Sequence, residues 1–118
     1  MVEKYKGSVV IGLTEKVTIM GKVGKKKSLI AKIDSGATKS SMDARLAAQL
    51  QLGPIIQTKL VKSAHGNSLR AVIEAELYIA DRHFATEFTL ADRIHMKYHV
   101  LIGQNILKQG FVIDPRKK

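Results

Sequence analysis

The sequence predicts an all-β domain closed, or nearly closed, into a barrel. Three observations carry that reading: about eight short segments with strand-like apolar patterns, Gly- and Asn-bearing turns between them, and one longer stretch with helical spacing. At 118 residues with 45% hydrophobic content, the chain is long enough for one compact domain, taken as residues 1–118. No internal repeat, low-complexity tract or Pro/Gly/Ser linker divides it.

The elements follow in chain order. Residues 8–13 and 16–20 read as two strands around a turn, and residues 28–33 alternate apolar and polar in the way of a half-buried strand. Between them, Gly21-Lys22-Val23-Gly24-Lys25-Lys26-Lys27 reads as a hairpin loop. Ser41 is expected to cap a short helix in which Met42, Leu46 and Leu50 recur every four residues, Asp43 sits in the first turn and Gly53-Pro54 closes the end. Strand signals resume at residues 55–63 and 69–79. The connection Ala64-His65-Gly66-Asn67-Ser68 has the Gly and Asn that suit the positive φ of a tight hairpin. Residues 80–83 make a second turn before a strand at 84–90. A buried strand at 98–102, a turn of helix around residues 105–108 and a strand at 111–113 follow, with Asp114-Pro115 as a stop.

Composition narrows the function classes. With no cysteine, disulfides, iron–sulfur clusters and thiolate zinc sites are excluded, so any metal would need His, Asp or Glu. His95 and His99 are four apart, but the stretch reads as loop leading into strand, where that spacing does not share a face. The zinc motif His-Glu-x-x-His is absent, and the four histidines read as surface residues, so no metal site is expected. Nor is there a Gly-x-x-x-x-Gly-Lys-Ser/Thr loop for ATP, and no cofactor is expected. The start Met1-Val2-Glu3-Lys4 lacks a signal-peptide layout, and no apolar run approaches the roughly 20 residues of a membrane span, so a soluble cytoplasmic protein is expected.

Charge points to an acidic partner. Twenty Lys and Arg against ten Asp and Glu give a formal charge of +10. Part of the excess sits in Lys25-Lys26-Lys27 and Arg116-Lys117-Lys118, which also read simply as solvated surface. Nucleic-acid binding would call for aromatic stacking residues, whereas the chain has three Tyr, three Phe and no Trp, so nucleic acid is not the expected partner.

The most informative stretch is Leu29-Ile30-Ala31-Lys32-Ile33 running into Asp34-Ser35-Gly36-Ala37-Thr38. A strand that ends on an acid followed by a small hydroxyl residue and a glycine presents the carboxylate rigidly in a tight turn. Ser35 is placed to hydrogen-bond within the loop, Gly36 lets the backbone approach closely or take positive φ, and Ala37 keeps the neighbourhood dry. The triplet by itself also reads as a turn carboxylate that caps local amides.

The order of the surrounding parts sharpens this reading. An Asp-Ser-Gly-Ala loop at 34–37, a helix directly after it, a hairpin around His65-Gly66-Asn67 and the run Val100-Leu101-Ile102-Gly103 together resemble the retropepsin-like aspartic proteases. Resemblance is closer to the ATP-dependent zinc protease subfamily associated with RimK-type glutamate ligases. It rests on Phe88-Thr89-Leu90-Ala91-Asp92-Arg93, Met96-Lys97-Tyr98, Val100 to Gly103, Asn105, Leu107 and Phe111-Val112-Ile113-Asp114-Pro115. The matches span roughly residues 12–115.

The resemblance implies a closed acid-protease barrel with one or two short helices, acting as a homodimer on a peptide or protein substrate. Asp34 would be the catalytic acid, with Ser35, Gly36, Ala37 and Thr38 forming its loop and His65, Gly66 and Asn67 the flap over the substrate. Two carboxylates about 3 Å apart cannot both ionise and so share one proton, and a single Asp-Ser-Gly per chain requires the second from another copy. The resemblance also suggests acidic substrates such as glutamate-tailed proteins, which the basic composition suits. A non-catalytic peptide-binding module on the same barrel is the alternative. Asp92-Arg93 reads as a local ion pair, a turn stabiliser or a subunit contact.

Overall fold

The computed structural model describes residues 2–63 and 66–117. In chain order the elements are β1 (Lys4–Tyr5), β2 (Ser8–Ile11), β3 (Thr14–Met20), β4 (Lys26–Ile33), β5 (Ser40–Asp43), α1 (Ala44–Gln49), β6 (Gln57–Ser63), β7 (Gly66–Ile79), β8 (Arg82–Ala91), β9 (Val100–Ile102), α2 (Gln104–Leu107) and β10 (Phe111–Ile113). Strands β3, β4, β9, β5, β8 and β7 hydrogen-bond in that order, and β7 pairs back onto β3, closing a six-stranded barrel. The predicted all-β barrel with two short helices is therefore what forms.

Alternation along the strands fills the barrel. In β7, Ala75, Leu77 and Ile79 are buried while Glu74, Glu76 and Tyr78 face outward, the period of two that a one-sided strand requires. Ile19, Met42, Phe88, Val100 and Ile102 meet them from the other strands with no exposed surface. Turn chemistry sets the hairpin geometry. Lys6 and Gly7 both take positive φ (50° and 84°), the primed turn whose twist matches the β1–β2 pair.

Two features of topology matter for the site. Strand β9 lies between β4, to which it is parallel, and β5, to which it is antiparallel, so the end of β4 is clamped next to the end of β9. Strand β7 is longer than the barrel needs. Residues 76–79 pair with β3, whereas residues 66–72 pair with β6 and carry it beyond the wall as a two-stranded ribbon. A small sheet, β1-β2-β10, is hydrogen-bonded apart from the barrel, with β10 parallel to β2, and its Val9 and Ile11 join the same core.

Several boundaries differ from the sequence reading. Ser41 does not cap the helix: Ser40–Asp43 is strand β5, with Ser41 paired to both Thr89 and Leu101. Asp43 takes the cap, its carboxylate accepting from the Arg45 N–H at 3.1 Å, and α1 begins at Ala44. The four-residue spacing of Met42 with Leu46 and Leu50 misled because Met42 reaches the core from a strand. Lys26 and Lys27 belong to β4, opposite Met20 and Ile19, so the first long hairpin is tighter than expected. Gly66, Asn67 and Ser68 likewise pair with Ser63, Lys62 and Val61 instead of looping, and His65 lies outside the described residues. The strand read at 98–102 shortens to β9 because the Tyr98 carbonyl accepts from the Arg93 side chain (3.0 Å) rather than from a neighbouring strand.

Candidate active site

Strand β4 delivers Asp34 to the end of the barrel wall, where its N–H donates to the Ile102 carbonyl at 2.9 Å. The chain then turns sharply. Ala37 N–H donates to the Asp34 carbonyl at 3.2 Å, and Gly36 N–H donates to the carboxylate oxygen Oδ1 at 2.9 Å. Gly36 does not take positive φ; its function is close approach, since a Cβ there would come within 3.3 Å of that same oxygen. Oδ2 of Asp34 takes no hydrogen bond among the described residues. Asp34 is half-buried, while Ser35 and Gly36 at the tip are exposed.

The loop is held from beneath by the residues after β9. Gln104 donates its side-chain Nε2–H to the Ser35 carbonyl at 2.7 Å and its backbone N–H to the Ala37 carbonyl at 2.8 Å. Asn105 N–H donates to the Thr38 carbonyl at 3.2 Å. The Ser35 hydroxyl, expected to brace the loop, makes no hydrogen bond among the described residues; its carbonyl does that work. Gly103 has to be glycine, because a Cβ would lie 2.8 Å from the Ala37 carbonyl oxygen and closer still to that of Lys39.

Ser40 and Asn105 form a buried joint under the loop. Ser40, fully buried, donates its hydroxyl (2.8 Å) and its N–H (3.0 Å) to Asn105 Oδ1, and the same hydroxyl accepts from Gly103 N–H at 3.0 Å. The Asn105 amide donates to the Glu87 carbonyl (3.0 Å) and the Thr86 hydroxyl (3.2 Å) on β8. A buried network with every member satisfied is rigid, and this one ties β5, β8 and α2 to the loop.

A groove of about 390 Å³ opens beside the loop. Ala37 and Thr38 line one side and Leu101 its floor, while the β6–β7 ribbon hangs over it with Lys59 and Arg70. Arg93 also lines the groove. Its N–H donates to the Asp43 carboxylate at 2.8 Å and its Nε–H to the Tyr98 carbonyl at 3.0 Å. Burial and the neighbouring Arg70 charge push the Arg93 guanidinium below its usual pKa, while the Asp34 and Asp43 carboxylates pull it up. Asp92 and Arg93 are not an ion pair: Asp92 takes Arg45 instead, at 3.1 Å, which holds its carboxyl below the usual range.

The predicted residues 34–38 thus form one loop, of which Ala37 and Thr38 line the groove while Asp34, Ser35 and Gly36 are not among its lining residues, and Gly66 and Asn67 lie at the far end of the ribbon. Sequence reasoning missed the bracing roles of Gln104, Asn105 and Ser40 and the placing of Arg93 in the groove. The only signal was the Gly-Gln-Asn that follows the apolar run of β9. Among the described residues, no three His, Asp or Glu side chains gather to hold a metal ion, so the zinc in the subfamily's label has no fitting donor set there. No helix among the described residues is long and apolar enough to cross a membrane.

A family model described as retropepsin-like aspartic endopeptidase RimB matches residues 47–118. Among curated proteins, a "Probable alpha-L-glutamate ligase" of Desulfotalea psychrophila is 31% identical over 75 residues, which is 63% of this chain. The chain spans only 16% of that relative's length. Among solved structures, Lpg0085 of Legionella pneumophila, of unknown function, superposes with a TM-score of 0.64 at 18% identity, covering 92% of this chain and 95% of that one. EIAV protease, in complex with the inhibitor HBY-793, gives 0.63 at 22% identity over 80% of this chain and 84% of that one. Simian foamy virus protease gives 0.59 at 22% identity, over 80% and 91%. These structural likenesses establish the fold.

Proposed function

Because this chain belongs to the RimB-like family of retropepsin-like aspartic endopeptidases, we propose that it is an aspartic peptidase whose active form is a homodimer, with one Asp34 from each copy. The observation that carries this reading is the state of Asp34: a half-buried carboxylate in the loop whose Ala37 and Thr38 line a groove, one oxygen held by Gly36 N–H and the other without a partner among the described residues. A structural turn carboxylate has its oxygens occupied by local amides. Here the loop's carbonyls are fixed from below while the acid is left open.

One carboxylate is poor equipment for peptide hydrolysis. Two copies meeting across a two-fold axis at the exposed Ser35-Gly36 tips would bring the acids together, and like charges that close share a single proton. The ionised acid takes a proton from water as it attacks the scissile carbonyl, and the protonated one donates to the carbonyl oxygen. The loop 34–38 positions the pair. The β6–β7 ribbon, with Gly66 and Asn67 at its far end, covers the substrate and excludes water, and the neighbouring His65 is the third flap residue the sequence offers.

Acidic substrates, glutamate-tailed proteins among them, suit this site. The groove is lined by five cations (Lys39, Lys59, Lys62, Arg70 and Arg93), and the whole chain carries a formal charge of +10. The partial match to a protein described as a glutamate ligase supports the same link.

The test pairs sedimentation with cleavage of glutamate-containing peptides from pH 4 to 8, for wild type and Asp34→Asn. The expected result is a dimer whose turnover falls at least about 10³-fold on substitution, with circular dichroism unchanged. Turnover that survives in Asp34→Asn removes Asp34 from the mechanism, and a fully active monomer removes the paired acids. Tight peptide binding without turnover in wild type leaves the non-catalytic module.

A further inference from the structure

Lys59 and Arg70 stand directly opposite each other across the β6–β7 ribbon, and both line the groove with Arg93. Like charges in that position repel and weaken a strand pair. Neither side chain has an ion pair or hydrogen bond among the described residues. Lys39, a fourth cation at the groove, differs: Glu87 neutralises it at 3.4 Å. Repulsion from Arg70 reaches Arg93, which is itself partly withdrawn from water. A solvated surface cluster would spread such charges outward, whereas these three residues line one concave space.

Arg93 is also prepared for a planar anion. Its backbone N–H is taken by Asp43 and its Nε–H by the Tyr98 carbonyl, which fixes the guanidinium. The two terminal amino groups are left without partners among the described residues. They form the end-on fork that matches a carboxylate bidentately. Beside them lie Leu101 and Ala37, apolar surface for the methylenes that precede a glutamyl carboxylate.

We propose that Arg93, Arg70 and Lys59 form a specificity subsite that reads a glutamate side chain of the substrate next to Asp34, with Arg93 making the bidentate contact and the two ribbon cations closing over it. The proposal rests on the peptidase reading and adds which residues select the substrate. A nucleic-acid strand is the lesser fit, since among the described residues no aromatic side chain lines the groove to stack a base.

Two fluorogenic peptides, identical except that glutamates flanking the scissile bond are replaced by glutamine, provide the test. The readout is the ratio of their kcat/KM values, because a merely structural role would lower both and leave the ratio standing. Wild type is expected to prefer the glutamate peptide by about 10- to 100-fold, the range for a lost charge-assisted contact. The ratio falls toward one in Arg93→Gln, falls partway in Arg70→Gln and Lys59→Gln, and is partly rescued in Arg93→Lys, which keeps the charge but not the fork. The ribbon variants serve if Arg93→Gln unfolds the loop at Tyr98. A ratio unmoved by all of them overturns the subsite.

Calorimetry with the glutamate peptide and the Asp34→Asn protein separates this proposal from the peptidase reading. If wild type cleaves neither peptide but Asp34→Asn binds the glutamate peptide in an Arg93-dependent way, the subsite stands and the peptidase falls. Tighter binding of a single-stranded oligonucleotide of equal charge overturns the subsite.

Discussion

Between Asp34 and Thr38 four backbone carbonyls accept hydrogen bonds, those of Asp34, Ser35, Ala37 and Thr38, and three of the donors come from Gln104 and Asn105. Across the groove the β6–β7 ribbon is the reverse. Leu60 and Leu69 pair opposite each other yet are 50% and 71% exposed, and Lys59 and Arg70 have no counter-ion among the described residues. The loop is over-determined by internal contacts, and the ribbon holds apolar and charged groups that are exposed to solvent or lack a protein partner among the described residues. Precise placement of a reacting group asks for the first, and recognition of a varied substrate tolerates the second.

The largest effect should come from the tightest point under the loop. Gly103→Ala forces a methyl group against the backbone carbonyls of Lys39 and Ala37, the second of which is held by the Gln104 N–H. Urea denaturation should show a loss of about 3 kcal/mol or more, at the upper end for overpacking. A loss below about 1 kcal/mol would mean that the loop yields, and the contrast with the ribbon would weaken accordingly.

Asn105→Ala should cost slightly less. Truncation removes four side-chain hydrogen bonds, taking the acceptor from the Ser40 N–H and from the Ser40 hydroxyl, which keeps only the Gly103 N–H, and a donor from the Glu87 carbonyl. About 2–3 kcal/mol is expected, because neighbouring waters or small shifts recover part of the loss. The same variant should reduce kcat more than it raises KM, since the residue touches the loop's support and not the groove. A KM effect alone would sink that assignment.

How much of this was legible in the sequence follows the same division. The barrel and the Asp34 loop were readable because local chemistry dictates them: alternation in β7, turn residues at the hairpins, a small-residue turn after β4. What escaped was non-local. Ser41 and Met42 satisfy a helix pattern, yet partners on β8 and β9 claim them for a strand, and only the fold shows that. Asn105 and Gln104 look like ordinary helix-start residues until β9 brings them under residues 35–40. Arg93 looked like the partner of its neighbour Asp92, because sequence adjacency does not show that Asp43 and Tyr98 hold it from either side.

The smallest effect, and the sharpest check on the ribbon, is expected from Leu60→Ser combined with Leu69→Ser. Both side chains are largely exposed, so little apolar surface is lost from the fold. What disappears is one cross-strand contact on the ribbon, worth about 0.5 kcal/mol. Urea midpoints should therefore stay within that margin of wild type, with the slope unchanged. The register of the ribbon survives because it is fixed by seven paired positions from Gln57↔Val72 to Ser63↔Gly66, and the base of β7 is anchored by the buried Val72 and Ile73. A loss above about 1.5 kcal/mol would require the leucines to be packed against something in solution that one chain does not supply, such as a second copy. Sedimentation of the double variant would then decide the matter: dissociation to monomer would move the ribbon from the substrate side of the molecule to its subunit contact.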